Sequence, residues 1–193
     1  MSMWKPGLRR AGAMLAAAVL CAGAAVAAGA PASGAPAPAP AGPRSAQQAG
    51  PYYLYNPLTQ KCLGISGAST ANGAAAIQWT CAWQSYSDQG WYVESLGSGY
   101  YQFRNQVSGK CLGISGAGTA NGVPAIQWTC ANVLNSDQAW YEYYFGNGYY
   151  QFINRISGKC IGISGASTAN GAAAIQWTCA YQPSSDQAWW YAV

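Results

Sequence analysis

Between Pro51 and Val193 the chain is built of short apolar runs closed by glycine, asparagine or serine, and none carries the 3.6-residue stripe of an amphipathic helix. Residues 100–148 illustrate the pattern. Tyr100–Asn105 is rich in strand formers, a turn follows at Ser108-Gly109, and a second run spans Lys110–Ile114. Asn121-Gly122 is a turn signal, Ala125–Thr129 a third run and Ala139–Tyr144 a fourth, before Gly146-Asn147-Gly148 turns the chain again. The same four strands are predicted on either side, because corresponding residues such as Cys62, Cys111 and Cys160 lie 49 positions apart.

The repeat is strict. Lys61–Ala82 reads KCLGISGASTANGAAAIQWTCA, Lys110–Ala131 reads KCLGISGAGTANGVPAIQWTCA and Lys159–Ala180 reads KCIGISGASTANGAAAIQWTCA, each followed by Asp-Gln-x-Trp (Asp88–Trp91, Asp137–Trp140, Asp186–Trp189). A period of this length raises solenoids and propellers first. The many Gly, Tyr, Trp and Thr residues exclude helical repeats, and three blades do not close a propeller, which needs about four. Three equivalent groups of four strands predict an all-β, threefold barrel capped by hairpins, with repeats at about 52–99, 100–148 and 149–193.

Of seven cysteines, six recur in pairs 19 positions apart: Cys62 and Cys81, Cys111 and Cys130, Cys160 and Cys179. Pairing within repeats is the scheme that treats all three alike, although spacing leaves other connectivities open. Each such bridge joins the second and third strands of its repeat and adds roughly 3 kcal/mol. Without any Cys-x-x-Cys or histidine, no zinc site is expected.

Charge narrows the partners. Of the net +4, Lys5, Arg9, Arg10 and Arg44 precede the repeats. The five remaining cations (Lys61, Arg104, Lys110, Arg155, Lys159) balance five acids (Asp88, Glu94, Asp137, Glu142, Asp186). A neutral repeat region argues against nucleic acid and anionic membrane as partners. Residues 1–28 combine a basic start with an uncharged run and small residues at Ala25–Ala28, which fits a signal peptide cleaved after Ala27 or Ala28 and removes Cys21. An uncleaved anchor is the other reading of that run. Residues 29–50, rich in alternating Ala and Pro, form an extended linker. The protein is therefore expected to be secreted and extracellular.

Catalysis fits poorly. Without histidine there is no Ser-His-Asp or Cys-His arrangement. A glycosidase needs two carboxylates facing one bond, whereas symmetry puts Asp88, Asp137 and Asp186 in separate repeats. Glu94 and Glu142 occupy non-equivalent positions and show no evident partner. No catalytic residue, metal or cofactor is implied.

Cys-Leu-Gly-Ile, Asn-Gly, Ile-Gln-Trp-Thr-Cys and Gln-x-Trp, repeated three times over residues 52–193, resemble the ricin B-type lectins. The resemblance implies a β-trefoil that binds carbohydrate. Trp79, Trp128 and Trp177 match the family's sugar-stacking aromatic, and Asp88, Asp137 and Asp186 match a residue that hydrogen-bonds a sugar hydroxyl. Core filling and turn capping are the structural readings of the same residues. Trp91, Trp140 and Trp189, with Gln89, Gln138 and Gln187, correspond to structural positions. The family's aspartate two residues after the first cysteine is replaced by Gly64, Gly113 or Gly162, a loss of roughly 1.5–3 kcal/mol if its hydrogen bonds are not replaced. The family's polar residue four before the second cysteine is Ile77, Ile126 or Ile175, and the neighbouring glutamine falls on the opposite face of an alternating strand.

The variable loops add Trp83 and Tyr86 in the first repeat and Tyr181 in the third, as further contacts. If those loops carry the platforms, the first repeat binds best and the second, with Asn132, Val133 and Leu134, binds worst. The function expected is non-catalytic binding of a polysaccharide or glycan. The alternative is a structural or protein-interaction trefoil that has lost sugar binding. Oligomeric state is not readable from the sequence.

Overall fold

The computed structural model describes residues 49–193. The expected signal peptide, Cys21 and the linker up to residue 48 lie outside the described residues.

Twelve strands follow in order: β1 (Ala49–Asn56), β2 (Lys61–Ile65), β3 (Ala76–Trp79), β4 (Gly90–Gly97), β5 (Tyr100–Asn105), β6 (Cys111–Ile114), β7 (Ala125–Trp128), β8 (Trp140–Gly146), β9 (Tyr149–Asn154), β10 (Cys160–Ile163), β11 (Ala174–Trp177) and β12 (Trp189–Ala192). The first and fourth strands of each repeat pair antiparallel around a closed ring, β1-β4-β5-β8-β9-β12 and back to β1. Closure removes the exposed sheet edge that an open sheet of this size would leave. Hairpins β2–β3, β6–β7 and β10–β11 hang from β1, β5 and β9 and cap one end. This is the β-trefoil that the repeat and the resemblance predict.

The core is assembled in triplets, as the repeat requires. Leu63, Leu112 and Ile161 form one, Ile65, Ile114 and Ile163 another, and Trp91, Trp140 and Trp189 a third, all buried. Each core tryptophan donates its indole N–H to the carbonyl of the first-named triplet in its own repeat (Trp91 to Leu63 at 2.9 Å, Trp140 to Leu112 at 3.1 Å, Trp189 to Ile161 at 3.0 Å), so its polar atom is satisfied inside the barrel. One triplet breaks the symmetry: Val93, Glu142 and Tyr191 are equivalent in sequence, and the Tyr191 hydroxyl donates to the buried Glu142 carboxylate.

The three disulfides join Cys62 to Cys81, Cys111 to Cys130 and Cys160 to Cys179, each within its repeat. They tie the start of the second strand to the residue two beyond the third. Such bridges persist in an oxidising compartment.

Hydrogen bonds between hairpins close a second, smaller ring. Asn72 Oδ1 accepts from the Thr129 amide of the next repeat at 3.0 Å, Asn121 from Thr178 at 2.9 Å, and Asn170 from Thr80 at 2.9 Å. Gln78, fully buried, donates to the carbonyls of Ser167 (2.5 Å) and Ala169 (2.9 Å), and Gln127 and Gln176 repeat the contact. The Asn-Gly turns are thus clasps between neighbours rather than tips of isolated hairpins.

Candidate functional site

Alternation along β3 buries Ala76 and Gln78 and turns Ile77 and Trp79 outward. Trp79, Trp128 and Trp177 are 48%, 49% and 49% exposed, so none of them fills the barrel. Each ring stands over the neighbouring repeat's turn. A Cβ on Gly171 would lie 3.6 Å from the Trp79 ring, and Gly171 adopts φ 82, a conformation glycine tolerates best.

Asp88 arrives from the loop before β4. Its backbone is held by Asn105 of the following repeat, whose Nδ2 donates to the Asp88 carbonyl at 2.5 Å, and its Oδ2 accepts from the Ile65 amide at 2.9 Å. Asn154 and Asn56 hold Asp137 and Asp186 in the same way. Asp137 and Asp186 accept from Ile114 and Ile163, each at 2.8 Å. The adjacent Gln89 side chain bridges the Ala82 amide (2.8 Å) and the Thr80 carbonyl (3.0 Å), with Gln138 and Gln187 alike, which makes these glutamines structural as expected.

Tryptophan and aspartate share a cavity in every repeat. Trp79 and Asp88 line one of about 550 Å³, Trp128 and Asp137 one of about 330 Å³, and Trp177 and Asp186 one of about 420 Å³. Ile77, Ile126 and Ile175 contribute the apolar wall, and Ser66, Ser115 and Ser164 a hydroxyl. Gly64 belongs to the first cavity's wall, and its missing side chain is what admits the aspartate: a Cβ there would stand 2.7 Å from Asp88 Oδ2. The carboxylate therefore occupies the ground above the strand, delivered from the loop instead.

The loop aromatics lie elsewhere. Trp83 packs its ring on Tyr53 (4.9 Å between centroids) beside a separate cavity of about 270 Å³. Tyr181 turns against Tyr143 at 5.4 Å, and Tyr86 stands 61% exposed on its loop. Of the three repeat cavities the first is the largest and the second the smallest, yet Trp83 is not what shapes the first. Sequence reading missed Asn56, Asn105 and Asn154, which seat the aspartates; their 49-residue spacing was the available signal.

Burial raises the Asp186 carboxyl above its ordinary value, and the amides of Ile163 and of Asp186 itself pull it only partly back. Glu94 has a partner after all: Arg104 grips it through Nε at 2.7 Å and Nη2 at 2.9 Å. Burial pushes the Glu94 carboxyl up, but the bonds from Arg104 and Gln102 and the charge of Arg104 outweigh it and hold it below its ordinary value. Among the described residues, no group of three His, Cys, Asp or Glu side chains is placed to hold a metal ion.

A family model described as ricin-type beta-trefoil lectin domain-like matches residues 44–128 and 136–193. Among solved structures, a designed 3-fold symmetric protein, ThreeFoil, is 32% identical with a TM-score of 0.68, over 74% of this chain and 97% of that one. An exo-beta-1,3-galactanase from Clostridium thermocellum is 30% identical with a TM-score of 0.67, but the match spans 74% of this chain and only 30% of the galactanase. The Rhizoctonia solani agglutinin shares the fold at 18% identity, with a TM-score of 0.65 over 78% of this chain and 99% of the agglutinin. None of the curated proteins matches the chain.

Proposed function

The chain belongs to the ricin-type β-trefoil lectin-like family, and from that premise we propose that it is a secreted, non-catalytic carbohydrate-binding protein with one sugar site per repeat. The observation that carries the reading is the pairing of a half-exposed tryptophan with a carboxylate in one cavity, three times over. A pyranose presents C–H groups on one face and hydroxyls at its rim. The indole takes the face, and the aspartate accepts from the rim. Trp79 with Asp88, Trp128 with Asp137 and Trp177 with Asp186 hold these roles.

Three rigidly spaced sites favour a polymeric or clustered glycan, since each further contact on one body is intramolecular. The aspartates line separate cavities, Glu94 is gripped by Arg104 and Glu142 is buried against Tyr191, which supports binding rather than hydrolysis. The disulfides support extracellular residence.

The alternative, a protein-interaction trefoil, drew on Gly64 as a lost sugar ligand. The Asp88 carboxylate in that volume supports the sugar reading over it. The test is tryptophan fluorescence during titration with galactose, xylan, arabinan and chitin fragments, together with retention on insoluble polysaccharide. A response that disappears in the Trp79→Ala/Trp128→Ala/Trp177→Ala variant is the expected result. Silence towards every sugar and no retention overturn the proposal.

A further inference from the structure

We infer that the three cavities select sugars by charge, taking neutral glycans, preferring those with a protonated amine and excluding uronic and sialic acids. The inference rests on the carbohydrate reading above and concerns which class of sugar the same sites accept.

Each cavity contains one carboxylate and no basic side chain. The cations are committed elsewhere or lie off these walls. Arg104 is engaged by Glu94, and Arg155 sits over the Tyr100 ring at 4.9 Å. The side-chain amides are also committed: the Gln89 amide group donates to the Thr80 carbonyl, and its equivalents do the same. The Ser66 hydroxyl, the Trp79 indole N–H and their equivalents remain as uncharged side-chain donors on the walls. On the acceptor side, Oδ2 of each aspartate is bonded to a strand amide, while among the described residues Oδ1 accepts from no other residue.

The one charged group in such a site is an acceptor, so it favours a ligand that donates. Neutral hydroxyls can do so. An ammonium group does it better, through a charge-assisted bond to the carboxylate and attraction to the indole face. An acidic sugar brings a second anion beside the aspartate, with no cation to offset the repulsion or to replace the water it sheds. The raised Asp186 carboxyl is consistent with this, being a half-buried anion that lacks a positive neighbour.

The experiment uses the full chain and two matched sets at pH 6 and low salt: glucose, N-acetylglucosamine, glucosamine and glucuronic acid oligomers, and the corresponding galacto-configured set. Within whichever set binds, the amino sugar is expected to bind about tenfold tighter than the neutral one, the uronic acid not measurably, and added salt should erode the amine's advantage. In Asp88→Asn/Asp137→Asn/Asp186→Asn, with unchanged melting temperature as the control for folding, the amine's advantage should vanish. If a uronic acid binds as tightly as its neutral counterpart, charge selection is wrong while carbohydrate binding stands. If no member of either set binds, the amine preference is wrong, and the carbohydrate reading falls only if xylan, arabinan and insoluble polysaccharide are silent as well. The unsubstituted protein decides both questions even if the triple variant does not fold.

Discussion

Gly64 and Asp88 share one volume: a Cβ on the glycine would stand 2.7 Å from the carboxylate oxygen that caps the Ile65 amide. Strand and loop residues are therefore coupled, and neither substitution is neutral in the presence of the other. Gly64→Ala should push Asp88 away, eliminate sugar binding in the first repeat and cost about 1–3 kcal/mol through overpacking. Gly64→Asp should fail likewise, because two carboxylates cannot occupy the space. Adding Asp88→Ala to Gly64→Asp vacates that volume and moves the carboxylate onto the strand, and should recover binding. Calorimetric stoichiometry falling from three sites to two and returning in the double variant is the outcome that checks the coupling.

The Asn-Gly clasp makes each site depend on its neighbour. Asn170, in the third repeat, accepts from the amide and hydroxyl of Thr80, next to Trp79 of the first. Asn170→Ala should cost about 1 kcal/mol for the lost bonds. It should weaken the first site more than the third, although the third contains the substitution. Site-resolved tryptophan variants carrying only Trp79 or only Trp177 would separate the two effects.

The scaffold was readable because its determinants are local and repeated. The 49-residue period, the cysteine spacing and the Gln-x-Trp tryptophans impose the same strands, bridges and core triplets three times. The site was readable only in part. Trp79 was legible as a platform only through its match to the family's stacking aromatic, with core filling left open, and the consequence of Gly64 depends on a loop residue 24 positions later folding back over the strand, which no local pattern encodes. Glu142 was opaque for the same reason. Its partner Tyr191 lies 49 residues away and is visible as a neighbour only once the ring closes.

That buried pair supplies a stability test. Glu142 is 1% exposed and accepts from the Tyr191 hydroxyl. Glu142→Leu, close in volume, removes that acceptor and should destabilise by about 1–3 kcal/mol. Glu142→Leu with Tyr191→Phe removes both polar groups and should recover much of the loss, since replacing a buried polar pair with apolar groups is often near neutral. A double-mutant cycle in denaturant reads the coupling. Additive losses would mean that the pair does not interact energetically.

Acid should separate binding from stability at the third site. Burial raises Asp186, and the amides of Ile163 and of Asp186 only partly oppose it, so the folded carboxyl protonates above its ordinary value of 3.8. As pH falls through that raised value, the charged acceptor for a neutral sugar gives way to a weaker neutral one. The folded state then binds more protons than the unfolded state, so this group's contribution to stability rises as pH falls from the raised value towards 3.8 and is constant below it. Glu94 acts in the opposite sense: its lowered carboxyl stabilises the fold above 4.5, and that contribution is lost as pH falls through its folded value. Comparison with Asp186→Asn cancels the Glu94 contribution. In the Trp79→Ala/Trp128→Ala background, affinity for a neutral sugar should drop on acidification while the stability difference from Asp186→Asn moves in favour of the aspartate. If binding and that stability difference fall together, loss of the fold rather than protonation of Asp186 is what ends binding.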